Sequence, residues 1–129
     1  MFKNSFLLVI LLAVSNFGFA ETIACNFSPD DSYSRIDLNT QNGQAEILDQ
    51  NGKKLTGRVI ADKTYPRSPA YHMDFNDRFA SGSPALRMFS LKLFVDTYVL
   101  HYAQFKRVNS QWVLDSVIHD IPIHCSKSS

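Results

Sequence analysis

The sequence predicts an all-β fold: a small antiparallel barrel or sandwich of about eight to nine strands, closed by a disulfide between its terminal strands. Three observations predict it. After residue 20, apolar and polar residues alternate along most of the chain, the period of a half-buried strand. Two Asn-Gly pairs, Asn42-Gly43 and Asn51-Gly52, interrupt that alternation where hairpins would turn. The chain's two cysteines, Cys25 and Cys125, lie near the two ends of the alternating region.

Residues 1–20 read as a cleaved signal peptide. Lys3 supplies the positive n-region, Phe6 to Val14 form an apolar core, and Gly18-Phe19-Ala20 places small residues where a signal peptidase cuts. The apolar stretch is about half of the ~20 residues that a membrane-spanning helix needs, so no membrane span is expected. Thr22-Ile23-Ala24-Cys25 offers a weaker alternative, a lipidation site at Cys25. The charged Glu21 and the distance from the apolar core oppose it, and lipidation would strand Cys125. The remaining residues, 21–129, suit a single β-rich domain. Without Lys3 the chain carries 12 basic and 12 acidic residues. That balance excludes a general nucleic-acid binder, which needs excess cations to displace counterions. Export places the cysteines in an oxidising compartment, periplasmic or secreted, where such a pair is normally bonded.

The strands follow in order. Ile23, Cys25 and Phe27 alternate with polar or small neighbours, as do Ile36 and Leu38. Between the Asn-Gly turns lies Ala45-Glu46-Ile47-Leu48-Asp49, and after them Leu55, Val59 and Ala61 alternate with Lys54, Thr56 and Arg58. Together these segments predict a three-strand meander. Asp62 to Pro69 is a connector, because its two prolines cannot serve a central strand. Tyr71, Met73 and Phe75 mark the next strand, and Asn76 to Pro84 reads as a long polar loop. Phe89, Leu91, Leu93 and Val95 share one strand face, and Tyr98, Leu100 and Tyr102 share another, with a turn placed at Asp96-Thr97. A helix over 84–95, opened by Ser83 as N-cap and Pro84 at its first position, is the alternative and would make the fold α+β. Lys106 to Gln111 is a polar hairpin tip, followed by Trp112 to Ile118. A last short strand carries Ile121, Ile123 and Cys125 on one face. Both cysteines share faces with apolar residues, so both thiols are expected to point inward and meet across adjacent terminal strands.

Residues that could carry chemistry are sparse. His72 and Asp74 share a strand face and could join His101 or His119 around a metal, but no H-E-x-x-H, C-x-x-C or calcium-loop spacing is present, so no metal or cofactor is expected. His119-Asp120 and His124 flank Pro122 without a nucleophile to serve. Ser81-Gly82-Ser83 lacks the G-x-S-x-G pattern of a nucleophile elbow; as a small-residue loop it is a candidate binding element. The predicted bridge consumes both thiols, and a glycosidase-like pair would have to come from aspartates such as Asp74 and Asp77. Lys53, Lys54 and Arg58 begin a basic stretch that continues to Lys63 and Arg67, a candidate positive face for an acidic protein surface or a glycan.

In plan the chain resembles the small periplasmic β-barrel inhibitors of lysozyme, which are short exported chains with cysteines near both ends. Ala80-Ser81-Gly82-Ser83 echoes their small-residue loop, although the tyrosine that closes the family motif is absent. The resemblance is one of architecture and implies no specific target. The expected function is therefore a non-enzymatic binding module of the bacterial cell envelope, an inhibitor or accessory protein with a protein or glycan partner. A small hydrolase using His72, Asp74 and His119 is one alternative. A carrier of small apolar ligands lined by Tyr98, Tyr102, Phe105 and Trp112 is another.

Overall fold

The computed structural model describes residues 21–128. The leader reading falls on residues 1–20, outside that range. Nine antiparallel strands form one curled half-barrel sheet: β1 (Thr22–Phe27), β2 (Tyr33–Asn39), β3 (Gln44–Asp49), β4 (Lys54–Asp62), β5 (Ala70–Arg78), β6 (Pro84–Phe94), β7 (Thr97–Val108), β8 (Gln111–Ile121) and β9 (Ile123–Ser128). Their spatial order is β8-β7-β6-β5-β4-β3-β2-β1-β9. Each strand pairs with its sequence neighbour, and only β9 crosses over to join β1.

The hairpins form where the turn residues permit them. Gly43 and Gly52 take φ of 71° and 87°, the left-handed region that lacks a steric penalty only for glycine. The β2–β3–β4 meander follows from these two turns. At the β7–β8 tip, Asn109 and Ser110 both have positive φ (50° and 65°), the pattern of a type I′ hairpin. The β6–β7 turn falls on Val95-Asp96, one residue before the expected Asp96-Thr97, with Val95 at φ 57° and almost fully exposed.

Residues 84–95 do not form the alternative helix. β6 runs Pro84–Phe94 and pairs along its length with β5 and β7. Alternation prevails here because Ala85, Phe89 and Leu91 are buried at period two, and period two satisfies a sheet face rather than a helix stripe. The loop expected at Asn76 to Pro84 is also shorter, since β5 continues to Arg78 and leaves only residues 79–83 between the strands.

Curvature originates on β4. Its first half pairs with β3 and its second with β5, with Arg58 in both registers. Gly57 lies at this bend, where an added Cβ would overlap the Asp74 carbonyl and approach Phe75 Cδ1 to 2.7 Å. A glycine lets the sheet fold over on itself here and lets the Phe75 ring close the gap.

Alternate residues of β1 to β7 meet inside the curl: Ile23, Cys25, Ile36, Leu38, Ile47, Tyr71, Met73, Phe75, Phe89, Leu91 and Leu100 are buried. Phe27, Tyr33, Phe75, Phe89 and Tyr102 form an aromatic cluster with ring centroids 4.8–6.4 Å apart. Edge-on and tilted pairs of this kind each contribute about 0.5–1.5 kcal/mol beyond area burial.

Cys25 and Cys125 lie directly opposite each other on β1 and β9, with Cα atoms 4.0 Å apart, and are disulfide-bonded. The bond is compatible with an oxidising, exported location. Among the described residues no helix is long and apolar enough to cross a membrane.

β8 and β9 are nearly one strand, interrupted at Pro122. Before the proline the chain pairs with β7, Ile121 opposite Leu100; after it, Ile123 pairs with Phe27 of β1. The missing N–H of proline fits a position where ladder bonding changes partner. The chain thus bridges the seam of the half-barrel at one end, and the seam is open elsewhere. The expected last strand, Ile121 to Cys125, is therefore divided: Ile121 ends β8, and Ile123 and Cys125 belong to β9.

Candidate functional site

Two adjoining hollows occupy the open end of the curl, between the β1–β2 turn and strands β7 and β8. One, of about 390 Å³, is lined by Phe27, Tyr33, Phe89, Tyr102, Ile118 and Ile121 with Asp31, Ser32, Arg87, Gln104 and Ser116. The other, of about 410 Å³, extends over Ile47, Asp49, Gln50, Asn51, Lys53, Leu55, Asp77 and Arg78. They share Asp31, Ser32, Tyr33 and Arg87. Together they make a groove with an aromatic floor and polar walls.

The polar walls follow from strand parity. On β6 the inward positions run Ala85, Arg87, Phe89, Leu91, so an arginine stands where an apolar residue would otherwise pack. A half-buried guanidinium requires partners, and the neighbouring strands supply them. Arg87 Nε donates to Asp77 Oδ2 at 2.7 Å, and Nη1 donates to Tyr102 Oη at 2.8 Å and to Gln104 Oε1. Tyr102 Oη donates to Gln104 Oε1 at 2.9 Å, and Gln104 Nε2 donates to Asp115 Oδ2 at 2.7 Å. Lys53 Nζ reaches the other Asp77 oxygen at 2.9 Å. A continuous polar chain therefore crosses β5, β6, β7 and β8 at the groove.

Burial alone would raise the Asp77 pKa, but hydrogen bonds from Lys53 and Arg87 more than reverse it and hold the carboxyl below its ordinary range. Burial, followed by the nearby Tyr102, pushes the Tyr33 phenol well above its ordinary value, so it stays protonated. Against this satisfied network, Asp31 Oδ2 is buried and accepts no hydrogen bond. That oxygen lies behind the groove wall rather than on its surface, an unmet hydrogen-bonding demand beside the hollow.

The residues singled out from sequence are distributed as follows. Ser81, Gly82 and Ser83 cap the β5–β6 hairpin, exposed and bonded among themselves. Ser81 Oγ donates to Ser83 Oγ at 3.1 Å, and Arg78 donates to the Gly82 carbonyl at 2.8 Å. This is an ordered tight turn, separate from the groove lining. Lys53 stands at the groove. Lys54 and Arg58 point to the outer face, Lys54 3.8 Å from Glu46 and Arg58 paired with Asp74 at 2.8 Å. Lys53, Lys54 and Arg58 are thus divided between two surfaces, and each has a carboxylate partner.

Asp74 faces outward and Asp77 inward, which separates the conceivable carboxylate pair. His72 binds Ser90 Oγ at 2.9 Å, also on the outer face. Of the four aromatics considered for an apolar pocket, Tyr102 lines the groove, Tyr98 packs against the core, Phe105 is half-buried between Leu86 and Leu114 of the flanking strands, and Trp112 lines outer-surface hollows beside Leu86 and Asn76. Among the described residues no group of three or more His, Cys, Asp and Glu could hold a metal ion.

Sequence reasoning missed Arg87, Gln104, Tyr33 and Asp31. A signal existed for Arg87: extending the Phe89-Leu91-Leu93 face backward by one step lands on a charge. Asp31 and Tyr33 had none, because Asp31 reaches the groove through the β1–β2 turn and Tyr33 through a register shift at the start of β2. No family model, curated protein or solved structure matches the chain.

Proposed function

We propose that the chain is an exported, non-enzymatic binding module of the bacterial cell envelope, an inhibitor or accessory protein, that receives a protein loop or glycan in the groove between the β1–β2 turn and β8. The observation that carries this reading is the groove itself. Aromatic rings, the Asp31 side chain and exposed hydroxyls at Ser32 and Ser116 line a hollow that is open along one side. Rings that stack and side chains that accept or donate hydrogen bonds suit a sugar or a protruding polar loop. An apolar small molecule is better served by an enclosed cavity that buries most of its surface. Lys53, Asp77, Arg87 and Tyr102 are engaged with one another and with Gln104, and among the described residues of the groove no nucleophile and base aim at a common point. The disulfide, compatible with export, favours a periplasmic or secreted setting.

The test is a titration of the purified oxidised domain with lysozyme and with soluble peptidoglycan fragments, beside a Ser116→Arg variant. Ser116 is exposed on β8, so the arginine fills the groove without entering the core. Binding in the wild type and its loss in the variant are expected. Binding that survives the plug places the partner elsewhere and overturns the assignment of the groove.

A further inference from the structure

On the outer face, across the sheet from the groove-lining Tyr102, Ile118 and Ile121, the β7–β8 ladder slips by one residue between Leu100 and Tyr102. Asp120 absorbs the slip at φ 55°, in the left-handed region that non-glycine residues adopt infrequently. The slip lays His119 against His101. Their rings are edge-on, with centroids 5.2 Å apart, and the two Nδ1 atoms are 3.4 Å apart. That is longer than the usual range of about 2.7–3.2 Å for a hydrogen bond donated by nitrogen. It matches the separation of two nitrogens on one tetrahedral zinc, where bonds of about 2.0–2.1 Å set the nitrogens about 3.3–3.4 Å apart. Adjacent nitrogens in a square-planar site would be closer, about 2.8 Å.

From this geometry we infer that His101 and His119 form a two-imidazole site for a divalent metal of the zinc class, bound through both Nδ1 atoms. The Asp120 amide donates to His101 Nδ1 across 3.3 Å, which assigns that nitrogen an acceptor lone pair and places the ring proton on Nε2. The metal displaces this long contact. His119 coordinates after shifting its own proton to Nε2. His119 is exposed and His101 half-buried, so the remaining coordination positions open to water. Both thiols are in the disulfide and do not compete for the metal. His72, two strands away on the same face, is held by Ser90 and lies outside the site.

The experiment is calorimetric titration of the oxidised mature chain with zinc chloride, alongside His101→Asn, His119→Asn, the double variant and His72→Asn. Circular dichroism confirms that each is folded. One zinc per chain is expected, with affinity reduced at least tenfold in each single variant at position 101 or 119 and unchanged in H72N. Side-chain 15N spectra should show the Nδ1 resonances of His101 and His119 moving on zinc addition. No binding at millimolar zinc, wild-type affinity in the double variant, or coordination through Nε2 would overturn the inference.

Discussion

At position 87 an arginine takes a slot between Ala85 and Phe89 that strand alternation reserves for an apolar side chain. Its charge survives there because Asp77, Tyr102 and Gln104 converge on it from both flanking strands. Replacing it with methionine removes the charge and leaves Asp77 with Lys53 alone. A stability loss of about 2–3 kcal/mol is expected in urea unfolding, less than the ~3–5 kcal/mol of a fully buried broken pair. The same carboxylate makes the domain acid-sensitive. Asp77 and Glu21 both have depressed pKa values in the folded state. For Glu21, burial works in the opposite direction, and hydrogen bonds from Tyr71, Lys63 and Lys127 outweigh it. Each therefore binds its proton less tightly folded than unfolded. The stability they contribute is present above about pH 4.5 and lost as pH falls through the depressed folded values. Urea midpoints measured from pH 7 to pH 3 should show this decline, and Asp77→Asn should flatten it. Gly57→Ala is expected to cost about 1–3 kcal/mol, because the new methyl meets the Asp74 backbone; an unchanged midpoint would remove Gly57 from the account of the bend.

Among the elements, β8 differs from the rest. Every residue from Gln111 to Asp120 is exposed, including Trp112, Val113, Leu114, Val117 and Ile118. Among the described residues its far edge has no strand partner, and a long apolar edge is prone to pairing with another chain. Sedimentation velocity should show concentration-dependent self-association of the wild type. Val117→Lys should suppress it while changing stability by no more than about 0.5 kcal/mol. Sequence alternation located β8 correctly but could not show that it is bare on both sides, since burial depends on what the sheet curls around. The meander was legible because Gly43 and Gly52 supply a local steric rule. The strand at 84–94 was ambiguous because Ser83-Pro84 is also a sound helix start, and only pairing with β5 and β7 decides between them. The groove was the least legible part, since Asp31, Arg87 and Gln104 come together only through tertiary registers.

Across the whole molecule, the pairing of β1 with β9 ties residues 100 positions apart. Replacing both cysteines with serine is expected to lower stability by about 2–4 kcal/mol, read by denaturant titration. Amide exchange should then quicken first in β9, which among the described residues has only β1 as a ladder partner. The cysteine positions made this staple legible in advance. They also fix an order of events. A chain that emerges amino end first presents Cys25 long before Cys125, which follows nearly everything else. Throughout that interval the first thiol has no rightful mate, and it can attack a small-molecule or enzyme disulfide to form a mixed disulfide, releasing the other sulfur as a thiol. Only when Cys125 arrives can the cross-link be exchanged into place, so fastening of the β1–β9 pair waits until the last of the nine strands has been made.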